Sequence, residues 1–278
     1  MALRVQDTIN DHLAELRYEP TAKRIRATLG ETTVVDSTRA VLLWEPRRIV
    51  PTWAVPADDL AADLSSSRDT EAVADDVGFA LPDVSERPVL DPSIPFIAHT
   101  AAGTAVDLRV GEHTLRSAGY LLQDSPVNGY VALDYGLFDS WWEEDERNVG
   151  HPRDPFHRID ILRSSRSVRL ERDGVVLAES SRPTLLFETM LPVRMYLPSD
   201  DVRVELIPSD THSTCAYKGH ASYLTPIIGG NEVKDLAWTY PEPLAEAAPV
   251  RGLIAFFNER VDVVLDGQRR ERPRTPWS

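Results

Sequence analysis

The segment Glu179–Glu188, ESSRPTLLFE, aligns without a gap with Asp36–Glu45, DSTRAVLLWE. Three further pairs of segments match in the same order along the chain: Pro56–Leu60 with Pro198–Val202, Gly129–Leu133 with Gly252–Phe256, and His151–Phe156 with Arg272–Trp277. Four matches in one order indicate a tandem duplication. We therefore predict two repeats, residues 17–159 and 160–278, behind an N-terminal segment, residues 1–16.

The second repeat has the pattern of short β-strands. Ser167–Arg172 and Val175–Ala178 flank Asp173-Gly174, a favoured two-residue hairpin turn. Thr184–Phe187 is a short apolar strand, and we interpret Leu253–Phe257 and Val261–Leu265 as a further strand pair. The fold class predicted from this pattern is all-β.

The only helix predicted with a clear periodicity lies at the N-terminus. Ile9, Leu13 and Leu16 recur at helical spacing within Val5–Leu16, which predicts a short amphipathic helix. The N-terminus lacks the apolar region of a secretory signal, and the single cysteine fits a reducing compartment, so we expect a cytoplasmic protein.

The chain carries 30 basic and 44 acidic residues, a net charge of −14. Phosphate backbones and anionic lipids repel such a chain, so neither nucleic acid nor a membrane is an expected partner. More than half of the excess lies in an acidic insert, residues 57–91, which we interpret as a solvated loop or helix. The alternative hypothesis is that the acidic insert and the acidic segment Trp141–Glu146 together bind a partner protein.

The second repeat contains the motifs Ser180–Glu188, Arg194–Pro198 with Asp201, Cys215–Tyr223 and Trp238–Pro243, and the linker His151–Arg158 precedes it. Together these motifs resemble the tandem form of the family called domain of unknown function 427. The resemblance implies two β-tent-like domains, each of two sheets opened like a tent, similar to methionine sulfoxide reductase B and the cereblon ligand-binding domain. A nucleotidyltransferase activity is sometimes attributed to the family; the phosphate-loop motif that would support it is absent.

The chain departs from the family pattern in three respects. The family usually has proline where Ala216 stands and often an aromatic residue where Leu224 stands. The first repeat has no Cys-x-Tyr-Lys-Gly segment, so we expect it to be degenerate and any site to lie in the second repeat. Tent-like relatives often hold zinc with four cysteines, but this chain has only Cys215, so we expect no metal and no cofactor.

Cys215 and Lys218 are the candidate catalytic residues. Lys218 is one of only three lysines in a chain that otherwise uses arginine. Lysine can lose its proton when desolvated or serve as a compact point charge, which arginine cannot. If Thr214–Gly219 is one strand, Cys215 and Lys218 point to opposite faces. The alternatives are that Cys215 packs as a small apolar residue and that Lys218 forms a structural ion pair with Glu188 or Asp201.

The candidate binding residues surround the segment Leu191–Asp201. They comprise a polar group and an aromatic group: Glu188, Arg194, Tyr196, Asp201, Tyr217, Tyr223 and Trp238. The polar side chains form either a network that braces this segment or the polar wall of a pocket, because they are costly to bury unpaired. The aromatic ones form either its floor or ordinary core. The sequence thus predicts a small-molecule site for an anionic or carbonyl ligand, centred on Lys218.

Overall fold

A computed structural model describes residues 2–73, 78, 89–275 and 278. Within these residues the chain divides into two compact units. Unit 1 contains residues 2–73, 78 and 89–154, and unit 2 contains residues 155–275 and 278. The division falls between Asp154 and Pro155, within the linker that joins the two predicted repeats.

Unit 1 contains one short helix, α1 (Val5–Asn10), and two 3₁₀ turns, Ala57–Asp59 and Tyr135–Leu137. All its other regular elements are strands: β1 (Arg17–Pro20), β2 (Ile25–Leu29), β3 (Thr32–Ser37), β4 (Val41–Trp44), β5 (Thr52–Pro56), β6 (Asp63–Ser66), β7 (Glu71–Ala72), β8 (Ala98–His99), β9 (Gly103–Val110), β10 (His113–Leu122), β11 (Tyr130–Leu133), β12 (Ser140–Glu143) and β13 (Glu146–Arg147).

Unit 2 contains twelve strands and two 3₁₀ turns, Ser199–Asp201 and Ala245–Val250, among its described residues. The strands are β14 (Ile159–Arg163), β15 (Val168–Arg172), β16 (Val175–Ser180), β17 (Thr184–Glu188), β18 (Arg194–Leu197), β19 (Leu206–Cys215), β20 (Gly219–Ile228), β21 (Asn231–Glu232), β22 (Ala237–Thr239), β23 (Ile254–Phe256), β24 (Asp262–Leu265) and β25 (Gln268–Arg270). The fold is therefore all-β.

The two units have the same strand order. The larger sheet of unit 1 runs β1-β4-β5-β11-β10-β9-β6, and that of unit 2 runs β14-β17-β18-β23-β22-β20-β19. The smaller sheets run β13-β12-β2-β3 and β25-β24-β15-β16. The isolated bridges also correspond, since Val35 pairs with Leu60 as Ala178 pairs with Val202. Outside this scheme, β7 pairs with β8, and β21 pairs with β20.

The hairpin at Asp173-Gly174 is confirmed. Both turn residues have positive φ, 52° and 80°, and they join β15 to β16. This backbone matches the twist of the flanking strands, and glycine adopts it without steric cost. The predicted strand at Thr184–Phe187 is also confirmed, as β17.

Each unit has two hydrophobic clusters, and both clusters of a unit contain residues from its larger sheet. In unit 2 one cluster joins both sheets, with Leu170 and Val263 from the smaller one. The other contains Tyr196, Trp238 and Tyr240 together with Val250 of the second 3₁₀ turn. Side chains alternate between the two faces of a strand, so these aromatic residues lie on the face turned away from the smaller sheet.

Three sequence predictions are wrong in detail. The N-terminal helix ends at Asn10 instead of Leu16, although Leu13 is buried beyond it; the side chain of Ile9 is outside the described part of the structure. Strands β23 and β24 do not pair with each other, because β23 joins the larger sheet and β24 the smaller. In the acidic insert, Asp63–Ser66 is the edge strand β6, hydrogen-bonded to β9, where we had expected a loop or helix. Residues 74–77 and 79–88 of the insert lie outside the described residues.

Among the described residues, no helix has the length and apolar character needed to cross a membrane.

Candidate functional site

Lys218 lies in the tight turn between β19 and β20. Strand β19 ends at Cys215, which pairs with Gly219, so Ala216, Tyr217 and Lys218 form the turn itself. The expectation that Thr214–Gly219 is one strand is therefore wrong, and strand alternation does not decide the direction of Lys218. A positive φ of 95° at Gly219 allows the chain to reverse here.

A neighbouring segment holds this turn in place. The backbone N–H of Leu244 donates a hydrogen bond of 3.1 Å to the carbonyl oxygen of Lys218, and Gly219 forms a β-bridge with Pro243. A Cβ atom at Gly219 would come within 3.3 Å of the Leu244 nitrogen. Glycine is thus needed for both the backbone conformation and the close approach.

Lys218, Glu188 and His157 form a chain of buried polar contacts. The ammonium of Lys218 donates a hydrogen bond of 2.5 Å to Oε2 of Glu188, and the side chains are 10% and 7% exposed. Nε2 of His157 lies 3.2 Å from Oε1 of the same carboxylate. Both carboxylate oxygens therefore have partners, as a buried carboxylate requires.

These partners keep Glu188 ionised. Burial by itself would raise the pKa of this carboxyl group, but the charge of Lys218 and the hydrogen bond from His157 outweigh it and lower the pKa to about 2. The sequence left open whether Lys218 pairs with Glu188 or with Asp201. The structure shows the ion pair with Glu188.

Lys218 has further hydrogen-bonding capacity. An ammonium group has three N–H donors, and Glu188 is its only acceptor among the described residues. Two donors of a side chain that is nine-tenths buried are thus left for another group.

An aromatic group borders this ion pair. Trp238 donates a hydrogen bond of 3.1 Å from Nε1 to the hydroxyl oxygen of Tyr196, and the Tyr240 ring lies 6.5 Å from the Tyr196 ring. The ring of His157 lies 4.7 Å from that of Tyr217. Tyr196, Trp238 and Tyr240 belong to one hydrophobic cluster of the larger sheet, and Tyr217 lies within the Lys218 turn.

Tyr240 is a mostly buried residue whose hydroxyl group has no hydrogen-bond partner among the described residues. The residue is only 5% exposed. Burial, with the nearby carboxylate of Glu188, raises the pKa of its phenol well above the ordinary value. The hydroxyl therefore keeps its proton and is a hydrogen-bond donor.

Cys215 lies at the end of β19. It is half-buried, and its Sγ accepts a hydrogen bond of 3.4 Å from the backbone N–H of Tyr217. Cys215 and Lys218 thus occupy the two ends of the same turn.

The model of a protein family described as domain of unknown function (DUF427) matches residues 160–267. Residues 160–267 of unit 2 are therefore a DUF427 domain. The matched region includes the Lys218 turn, Glu188 and the aromatic group, but begins just after His157. No curated protein matches the sequence.

Arg194 of the DUF427 domain is directed at a different acid. Its two terminal nitrogens each donate a hydrogen bond of 2.7 Å to Glu259, and Thr275 donates another of 2.7 Å to the same carboxylate. The guanidinium also lies 5.6 Å from the ring centroid of Trp238. Its charge is therefore neutralised by Glu259, and the structure does not join it to Glu188.

Asp201 is likewise separate from Lys218. It accepts hydrogen bonds of 2.6 Å from Ser180 and of 3.1 Å and 3.2 Å from Arg182. Unit 1 has the same arrangement, in which Asp59 accepts from Ser37 and Arg39. Because the serine, arginine and aspartate recur in both units, this contact is part of the fold that the units share.

Tyr223 lies at the margin of the site. It is half-buried, its hydroxyl is 3.2 Å from that of Ser213, and its ring stacks on Phe257 at 6.3 Å. Of the nine predicted residues, the structure thus joins Lys218 to Glu188, places Cys215 and Tyr217 at the Lys218 turn, and joins Tyr196 to Trp238. It leaves Arg194 and Asp201 with partners of their own.

Sequence reasoning missed three residues of unit 2. His157 stands in the quoted linker His151–Arg158, which carries no signal that its ring reaches Glu188. Tyr240 stands in the quoted motif Trp238–Pro243, but nothing in the motif separates a buried unpaired phenol from ordinary core. Glu259 has no local signal, because its pairing with Arg194 spans 65 residues.

Proposed function

We propose that the DUF427 domain binds a small molecule through an anionic or carbonyl oxygen at Lys218. The observation that carries this proposal is the ammonium of Lys218, whose side chain is nine-tenths buried and which has one acceptor among the described residues. The hydroxyl of Tyr240, which has no hydrogen-bond partner among those residues, is a second donor. Buried donors without acceptors cost free energy. A ligand oxygen that accepts from both would recover that cost.

The chemistry of the site favours an acceptor. Lys218 and the protonated phenol of Tyr240 both donate hydrogen bonds, and ammonium groups bind carboxylates and polarised carbonyls. The ligand body would contact the aromatic side chains of Tyr196 and Trp238. In this proposal Cys215 lines the site, and its thiol is the nucleophile only for a ligand that presents a carbonyl carbon.

A thermal-shift experiment tests the proposal with defined probes. Acetate, benzoate and acetophenone present the proposed oxygen, and toluene is the control without one. A probe at 100 times its Kd stabilises the folded state by about 2.7 kcal/mol, which raises the midpoint by several degrees.

The comparison is made on three proteins: the unaltered chain, Lys218→Met and Arg182→Ala. Arg182→Ala removes a charge paired with Asp201 at the surface and is the matched control. We expect at least one oxygen-bearing probe to raise the midpoint of the unaltered and Arg182→Ala proteins but not of Lys218→Met. Equal shifts in all three, or no shift with any probe, would contradict the proposal.

We also propose that the two units arose by duplication of one DUF427-like domain. The shared strand order, the shared bridges and the repeated serine–arginine–aspartate contact support this origin. Unit 1 in this proposal has lost the Cys-x-Tyr-Lys-Gly turn and kept the carboxylate of Glu45 that corresponds to Glu188.

A further inference from the structure

Glu45 of unit 1 corresponds to Glu188 of unit 2. Both glutamates end the aligned segments DSTRAVLLWE and ESSRPTLLFE. Glu45 directly follows β4 and Glu188 is the last residue of β17, in sheets of the same strand order. Each carboxylate is buried, with 3% and 7% of the side chain exposed. Lys218 has no counterpart in the sequence of unit 1, so the partner of Glu45 has to be a different group.

That partner is His99. Oε1 of Glu45 lies 2.9 Å from Nδ1 of His99, and Oε2 accepts hydrogen bonds of 2.6 Å and 3.0 Å from the backbone N–H groups of Thr100 and Ala101. Every oxygen of this carboxylate is therefore engaged. Burial alone would raise the pKa of Glu45, but His99 and the two backbone N–H groups lower it, so the carboxylate is ionised and holds a proton on Nδ1 of His99.

The imidazole ring of His99 is held in a single orientation. It stacks on Tyr120, with ring centroids 3.6 Å apart and planes 15° from parallel, and the edge of Phe96 meets it at 4.9 Å. Tyr120 pairs with Ala132 across β10 and β11 as Trp238 pairs with Ala255 across β22 and β23, so His99 packs against the counterpart of the unit 2 aromatic group. The hydroxyl of Tyr120 is already used, because it donates to the carbonyl of Ala101.

The second ring nitrogen, Nε2, is unpaired within the described part of the chain. The side chain of His99 is only 5% exposed, and Nε2 has no hydrogen-bond partner among the described residues. In the neutral ring with its proton on Nδ1, Nε2 carries a lone pair and accepts hydrogen bonds. A buried acceptor without a donor costs free energy that a bound group can recover.

The surroundings indicate a proton donor in preference to a metal ion. Both oxygens of Glu45 are engaged, and no group of three histidine, cysteine, aspartate or glutamate side chains with metal-binding geometry occurs within the described part of the chain. We propose that unit 1 has a second small-molecule site, in which Nε2 of His99 accepts a hydrogen bond from the hydroxyl group of a neutral ligand. The two units would then recognise opposite partners, a hydrogen-bond acceptor at Lys218 and a donor at His99.

Nitrogen NMR of the full-length protein labelled with ¹⁵N-histidine tests this site, with phenol as the probe and toluene as the control without a hydroxyl group. The variant His99→Gln, whose amide can still donate to Glu45, serves only to assign the resonances, and every readout is on the unaltered His99. The exposed His12 and His113 are internal controls. We expect the free protein at pH 7.5 to show a protonated Nδ1 and a bare Nε2 at His99. Phenol should then move the Nε2 resonance to a saturating value.

The same response in Lys218→Met would show that this site does not depend on the one in unit 2. Three results would overturn the inference: a proton on Nε2 in the free protein, a phenol titration that leaves the His99 resonance in place, or an equal movement with toluene. Loss of the response in Lys218→Met would also overturn it, since the probe would then act through unit 2.

Discussion

Nζ of Lys218 lies 2.5 Å from Oε2 of Glu188, and this contact joins the turn after β19 to the end of β17, thirty residues earlier in the chain. Both side chains are at least nine-tenths buried. The pair is therefore held in a region of low dielectric, where each charge depends on the other. Stability, pH dependence and ligand binding are all expected to change when it is altered.

Removing the carboxylate should be more costly than removing the ammonium. Glu188→Gln leaves a buried lysine charge without its counter-ion, and we expect the free energy of unfolding to fall by about 3 to 5 kcal/mol. Lys218→Met leaves Glu188 with His157 as a partner, so the free energy of unfolding should fall less than in Glu188→Gln. Urea denaturation measures both losses. Arg182→Ala is the surface control, and we expect it to lower the free energy of unfolding by less than about 1 kcal/mol. A Glu188→Gln loss as small as that of the control would show that the pair is not needed for stability.

Glu188 should make the protein less stable in acid. Its pKa is about 2 in the folded state, against the ordinary value of 4.5. Its stabilising effect is therefore complete above about pH 4.5 and is lost as the pH falls toward 2. The shift corresponds to about 3 kcal/mol.

The double variant Glu188→Gln/Lys218→Met is the reference for this measurement, because other carboxyl groups also titrate in this range. The free energy of unfolding of the unaltered protein should fall more steeply below pH 4.5 than that of the double variant. Parallel curves would mean that Glu188 has an ordinary pKa in the folded protein.

Gly219→Ala should be more disruptive than Gly174→Ala. Both glycines have positive φ, 95° and 80°, so alanine at either position is strained by about 1 to 2 kcal/mol. Only at Gly219 would the new Cβ meet backbone, at 3.3 Å from the Leu244 nitrogen; at Gly174 nothing lies within 4 Å. Thermal unfolding should give the larger loss for Gly219→Ala. Equal losses would show that segment 242–244 can move away at little cost.

Tyr240→Phe should weaken ligand binding without weakening the fold. The substitution removes a hydroxyl group that has no hydrogen-bond partner in the described structure, so the free energy of unfolding should be unchanged or slightly higher. If the hydroxyl donates to the ligand oxygen, its loss should reduce the affinity for benzoate about three- to tenfold. Calorimetric titration with benzoate gives the affinity, and Tyr18→Phe, on an exposed tyrosine, is the control. An unchanged affinity would place Tyr240 outside the contact.

Local signals in the sequence predicted most of the fold. The hairpin at Asp173-Gly174 was predictable because it depends only on the positive φ angles that these two residues adopt. The strand at Thr184–Phe187 was predictable because its apolar run is long enough for one buried strand. The pairing of β23 and β24 with different sheets could not be predicted, because both runs are short, apolar and adjacent in sequence. Which sheet a strand joins depends on residues far away along the chain, such as Tyr196 opposite Ala255.

The site was predictable where a rare residue type marked it. Lys218 stood out in a chain with three lysines, and its pairing with Glu188 was one of two stated alternatives. His157 and His99 carried no such mark. Each histidine contacts a carboxylate that is 31 or 54 residues away along the chain. The sequence does not show which distant residues become neighbours in the folded protein.

The central claim is that Lys218 contacts a ligand and does not merely neutralise Glu188. The chain has only three lysines, and the other two, Lys23 and Lys234, are exposed, so ¹³C labelling of lysine gives three Cε resonances that Lys218→Met can assign. The account predicts that titration with benzoate moves the Lys218 resonance to a saturating value and leaves those of Lys23 and Lys234 in place. A Lys218 resonance that stays fixed, or three resonances that move together, would contradict it.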